Sequence, residues 1–133
     1  MDVKVEIISK RNGKFTVDCF PSGKSFTIDV GKDVSSLEGP TPLEVLLSAL
    51  GSCVGVYAEK YLAQHSIVFT KIKTIAKAEL SEESPTRLVN IRLKIHTDAK
   101  LGKDEKAILL KFMQACPVHN TIIHTKEIDI GIA

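Results

Sequence analysis

The side chains in this sequence with the widest chemical reach are the thiols of Cys19, Cys53 and Cys116. A thiolate is a nucleophile that peroxides oxidise stepwise, and the product can condense with a second thiol to a disulfide. Most buried cysteines act only as small hydrophobes, so the surroundings decide. Cys53 sits near the end of Gly39-Pro-Thr-Pro-Leu-Glu-Val-Leu-Leu-Ser-Ala-Leu-Gly-Ser-Cys53-Val-Gly-Val-Tyr57, with Gly51, Ser52 and Gly55 clearing space around it. Cys116 opens Cys-Pro-Val-His-Asn-Thr-Ile, an irregular and polar setting 63 positions further on (53 to 116). That spacing is no metal motif, and with His119 the pair still lacks the fourth ligand of a structural zinc site. Apolar burial raises a thiol's pKa, so a reactive Cys53 needs a cation beside it. Cys19 shares a strand face with Phe15 and Val17 and is assigned to core packing.

Periodicity gives the secondary structure that carries these thiols. Val3, Val5 and Ile7 alternate with charged residues, Asn12-Gly13 favours a tight hairpin, and Phe15, Val17 and Cys19 form the return strand. Pro21-Ser-Gly23 turns again, and Ser25 to Val30 gives a third strand with one face to bury. Gly31 to Pro40 reads as a polar connection. Thr41 is the expected N-cap of a long helix, with Pro42 at its first position and Glu44 closing a capping box. The helix runs to about His65 and is apolar on most of its circumference, which belongs in a core. Val68 to Leu80 alternates as a strand, and Val89, Ile91, Leu93 and Ile95 make the clearest strand of all. Lys103 to Ala115 is a second helix with Ala107, Leu110, Phe112 and Met113 as its apolar face, widened by Ile108 and Leu109. Pro117 ends that helix, Val118 to Ile123 is a short turn or helix, and Lys126 to Ile132 is expected as a closing strand. The order βββ-α-ββ-α-β is an α+β arrangement.

A chain of 133 residues is expected to form one domain, residues 1–133. Aromatics make up only 5%, so the core must be aliphatic. A net charge of +2, without a basic cluster on one face, argues against nucleic acid as a partner. No apolar signal-peptide core opens the chain, and no uninterrupted apolar run reaches the roughly 18 residues of a membrane span. An odd cysteine count without framework spacing points to a reduced, cytoplasmic protein, in which paired thiols are catalytic or redox-sensing.

The two cysteine segments, Gly39 to Cys53 and Cys116 to Ile122, resemble the signature segments of the OsmC/Ohr family, the osmotically inducible protein C and organic hydroperoxide resistance proteins. Element order and length fit over essentially the whole chain. The resemblance implies an OsmC-like fold, with long central helices covered by sheets from both chains of an intertwined homodimer. It also implies thiol-dependent reduction of small organic hydroperoxides, without metal, flavin or other cofactor. By position, Cys53 matches the peroxidatic cysteine and Cys116 the resolving one, with an external dithiol restoring both. Arg11 in Lys-Arg-Asn-Gly resembles the family's Arg-Asp-Gly turn, and its permanent charge suits it to hold a thiolate. Leu50, one turn before Cys53, and His119, as a polar lid at the Cys116 end, are expected to bind substrate. Tyr57, one turn after Cys53, lines the pocket mouth or packs as a core tyrosine. His119 has a surface position as its alternative.

One departure stands out. The family's hydroperoxide reductases carry a glutamate ten positions before the first cysteine; here that position is Leu43, with the acid at Glu44. One residue is roughly a 100° rotation about a helix. The pattern resembles a branch that keeps both cysteines and lacks that glutamate. Two other functions fit the same fold: a non-catalytic protein holding a small apolar ligand, and a redox sensor that binds a partner in one oxidation state.

Overall fold

The computed structural model describes residues 1–31 and 33–133; of the polar connection expected over Gly31 to Pro40, Lys32 lies outside the described residues. The chain forms two compact units, Met1–Leu46 and Leu47–Ala133.

In the first unit, β1 (Lys4–Arg11), β2 (Lys14–Phe20) and β3 (Ser25–Asp29) make an antiparallel sheet in that order. The Asn-Gly hairpin forms as expected. Asn12 and Gly13 both take positive φ, 56° and 81°, which matches the right-handed twist of the flanking strands. Arg11 has φ 75° at a register shift between Ser9 and Arg11, so the strand bulges just before its turn. After β3, the Asp29 carboxylate accepts hydrogen bonds from the amides of Gly31 (2.8 Å) and Glu38 (3.1 Å) and pins the connection back on the sheet. Those two amides hold its pKa below the usual carboxylate range. A single 3-10 turn, Val34–Ser36, follows, capped by Asp33. One expectation is not met within the chain: every residue of β1 is exposed, including the apolar Val5 and Ile7.

Helix α1 (Pro42–Gln64) starts at the expected capping box. Glu44 accepts from Thr41 N (2.8 Å) and Thr41 Oγ1 (3.0 Å), while Glu44 N donates to Thr41 Oγ1. In the second unit α1 supplies the core: Leu50, Gly51, Val54, Ala58, Tyr61 and Leu62 are buried along it. By length and composition alone α1 could cross a membrane. Its buried stripe and the Glu59-Lys60 pair mark it instead as a core helix.

The hairpin of β4 (Ile72–Leu80) and β5 (Leu88–Thr97) is antiparallel. β4 begins at Ile72 rather than at Val68, because Asp98 captures the chain before it can pair. Its carboxylate accepts from Thr70 N, Thr70 Oγ1 and Lys71 N, holding its own pKa down to about 2. Helix α2 (Lys103–Met113) is capped by Glu105, which accepts from Gly102 N (3.0 Å). Its buried residues are Leu109 and Met113, one turn apart; Leu110, expected on the inner face, is 59% exposed. The segment after Pro117 is a true helix, α3 (Pro117–His124). The expected closing strand does not form within the chain. Residues 125–133 carry no strand hydrogen bonds among the described residues, and Ile128, Ile130 and Ile132 are all exposed. A strand needs a neighbouring edge to satisfy its amides, and this segment pairs with none of the sheet edges among the described residues.

Candidate functional site

The second unit brings Cys53 and Cys116 together. Both belong to one apolar cluster built on Leu50, Val54, Ala58, Tyr61, Leu62, Leu109 and Met113. Both are free thiols; Cys53 is half-buried and Cys116 is fully buried. They interact directly. Burial first, and then the Cys53 thiol beside it, push the Cys116 pKa above its ordinary value.

Pro117 explains how Cys116 is held. A residue preceding proline is driven out of α geometry, and Cys116 has φ −54° and ψ 125°. It therefore ends the chain's path out of α2 and becomes the N-cap of α3, with Pro117 in the first turn. Its sulfur accepts a hydrogen bond from His119 N at 3.4 Å. The amides of His119 and Val118 pull its pKa down, against burial and Cys53. A sulfur that faces helix N-terminal amides can hold negative charge when it must.

Cys53 owes its place to close packing of α1 on β4. A Cβ on Gly51 would meet Thr74 Cγ2 at 3.6 Å and Ala76 Cβ at 3.8 Å, and one on Gly55 would meet Thr74 Oγ1 at 3.2 Å. The two glycines thus face the sheet, where they let the helix approach. They do not open a path to the thiol, as their position around Cys53 suggests in sequence.

A cavity of about 1080 Å³ lies between α1, β5, α2 and α3. Leu50 and Val54 line it from α1, Leu93 and Ile95 from β5, Leu109 and Met113 from α2, and His119 from α3. Neither cysteine is a lining residue; their helix neighbours are. Lys100 and Lys106 also border it, no carboxylate does, and neither lysine is in an ion pair among the described residues.

The expected site residues therefore separate. Leu50 and His119 line the cavity. Tyr57 does not: it packs on Phe112 (centroids 5.8 Å apart) with Lys60 over its ring, the core alternative of the two expected. Cys19 lies in β2 opposite Val5, in the first unit. Arg11 is exposed at the first hairpin, in that same unit. Sequence reading missed Leu93, Ile95, Leu109 and Met113 as cavity walls. Their two periods were legible, but only folding shows that the inner faces of β5 and α2 leave a gap. Among the described residues no group of His, Cys, Asp or Glu side chains is placed to hold a metal ion.

Comparison with known proteins agrees with this architecture. The model of the OsmC-like protein family matches residues 32–131. No curated protein matches the chain. Among solved structures, an OsmC-like protein from Mycoplasma pneumoniae is similar with a TM-score of 0.81 and 20% identity, covering 93% of this chain and 89% of that one. An organic hydroperoxide resistance protein OsmC from Legionella pneumophila gives a TM-score of 0.69 at 15% identity, covering 93% and 90%. OhrB, the organic hydroperoxide resistance protein of Bacillus subtilis, gives 0.67 at 14%, covering 93% and 92%. These identities establish a shared fold and leave chemistry to the site. With the family model spanning most of the sequence and both thiols gathered in one core, this chain belongs to the OsmC-like family.

Proposed function

We propose that the protein is a thiol-dependent reductase of organic hydroperoxides. The observation that carries the reading is the contact between two free thiols from separate helices, Cys53 half-buried and Cys116 fully buried. Solved proteins of the same fold named for organic hydroperoxide resistance support it. The Cys53 thiolate attacks the terminal peroxide oxygen, the O–O bond breaks, and the alkoxide leaves as alcohol after taking a proton. The Cys53 sulfenic acid then condenses with the Cys116 thiol, forming the disulfide and releasing water. An external dithiol reduces that disulfide by exchange. Arg11 is the cation proposed to favour the Cys53 thiolate. The chemistry needs free thiols between turnovers, which fits a reducing compartment such as the cytoplasm.

The working unit in this reading is a homodimer. Val5 and Ile7 on β1, Ile122 and Ile123 on α3, and the alternating Ile128, Ile130 and Ile132 are all exposed in the single chain. Exposed apolar residues of this kind support an interface with a second copy, which can offer the 125–133 segment a sheet edge to pair with. Light scattering at micromolar protein should return twice the 14.6 kDa chain mass.

The deciding experiment is intact mass under denaturing, alkylating conditions, before and after one equivalent of cumene hydroperoxide. Loss of two hydrogens mapped to Cys53 and Cys116, with turnover abolished in Cys53→Ser, is the expected result. A wild type that keeps Cys53 as a free thiol and shows no turnover above background refutes it. One observation favours a second reading, a non-catalytic binder of an apolar ligand: neither cysteine lines the cavity. Leu43 at the position of the reductases' glutamate points the same way. Co-purified ligand in a native mass spectrum, with binding unchanged in Cys53→Ser, would establish that reading.

A further inference from the structure

The cavity holds one unexplained polar group. His119 Nδ1 is buried without a hydrogen-bond partner among the described residues. A buried N–H with no acceptor loses its hydration and gains nothing, whereas a bare ring nitrogen loses less. The tautomer that suits this surrounding therefore leaves Nδ1 unprotonated and puts the hydrogen on Nε2. Nε2 is not enclosed in this way and makes no hydrogen bond among the described residues, while the residue lines the cavity. The accessible edge of the ring is then the one carrying Nε2–H. The backbone fixes this arrangement, because His119 N is committed to Cys116 Sγ and locks the first turn of α3.

The walls are mainly aliphatic, from Leu50, Val54, Leu93, Leu109 and Met113, while Thr97, Lys100, Lys106 and Gln114 add polar groups to the lining. Lys94 and His96 border the cavity too, but strand alternation turns their side chains to the face opposite Leu93 and Ile95. A volume of about 1080 Å³ is slightly above the usual span of small-molecule sites, about 300–1,000 Å³.

We propose that this cavity is a binding site for apolar molecules carrying one oxygen acceptor, and that His119 Nε2–H is the donor that selects them. The proposal goes beyond the hydroperoxide reading and concerns binding alone, since neither cysteine lines the cavity. Its test avoids chemistry for that reason. The probes are cumyl alcohol, which has the oxygen and cannot oxidise a thiol, and cumene, the same skeleton without it. Nitrogen-15 NMR of the reduced full chain should show His119 as the Nε2–H tautomer, with its signal moving on addition of cumyl alcohol. Cumyl alcohol should bind about five-fold tighter than cumene, the discrimination of one net hydrogen bond. In His119→Leu the two probes should bind alike. His119→Gln, which keeps a donor, should retain part of the preference and guards against a folding defect in the leucine variant. An Nδ1–H tautomer, equal affinities in the wild type, or no binding of either probe overturns the proposal. A protein that discriminates the probes but never turns over hydroperoxide would retain this site while losing the reductase reading.

Discussion

Oxidising the Cys53–Cys116 pair should tie the middle of α1 to the start of α3 and raise the melting temperature. The thiols already meet in the core, so the bond constrains the unfolded chain far more than it moves the folded one. Cross-linking two residues 63 positions apart (53 to 116) closes a long loop. The chain-entropy relation gives about 14 cal/mol/K for it, or about 4 kcal/mol at 25 °C. An unfolding entropy of about 2.1 cal/mol/K per residue converts each kcal/mol to roughly 3.6 °C for a chain of this size. The ceiling is thus about 15 °C, and the usual 2–4 kcal/mol of real disulfides corresponds to about 7–14 °C. Calorimetry on reduced, peroxide-treated and re-reduced protein at one fixed concentration measures it, with intact mass reporting the fraction bonded. Cys116→Ser should show no rise and should stop at oxidised Cys53. Complete disulfide formation with an unchanged or lowered melting temperature would refute the reasoning, since the sulfurs would then have to be dragged out of place to bond.

Other expectations follow from single contacts. Gly51→Ala puts its methyl at ordinary contact distance from Thr74 and Ala76, so urea unfolding should show about 0.5–1 kcal/mol of stabilisation, whereas Gly51→Leu should cost about 1–3 kcal/mol by overpacking against β4. Thr41→Ala removes the N-cap of α1 and should cost about 1 kcal/mol in the same assay. Asp98 has a folded pKa of about 2 against 3.8 unperturbed, so its contribution is complete above the unperturbed value and is lost as pH falls through the folded one. Acid unfolding of Asp98→Asn should therefore lose part of the wild-type pH dependence in that window. Cys116 is shifted the other way: its raised pKa adds stability below the ordinary thiol value of 9.0 that is lost as pH climbs past it, a slope absent in Cys116→Val. Iodoacetamide should label half-buried Cys53 well before Cys116, and a reversed order in the mass spectrum would contradict the burial of the pair.

Local events were legible in the sequence. Asn12-Gly13 set the first hairpin, Thr41-Pro42-x-Glu44 set the start of α1, and Pro117 made Cys116 a boundary residue, because each rests on backbone sterics or on hydrogen bonds within a few residues. Strand alternation in β5 was equally plain, since a period of two survives in one dimension. Which faces meet depends on the folded packing. Gly51 and Gly55 looked like room for a thiol and proved to be the seat of β4, and Leu109 rather than Leu110 turned inward on α2. Apolar runs that the sequence marked for burial, in β1 and at Ile128, Ile130 and Ile132, stay exposed in the single chain, because burial depends on which faces meet and not on local periodicity. The contact of two thiols 63 residues apart (53 to 116), and the unpartnered nitrogen of His119 beside it, depend on the packing of α1, α2 and α3 around one core, which no local pattern encodes.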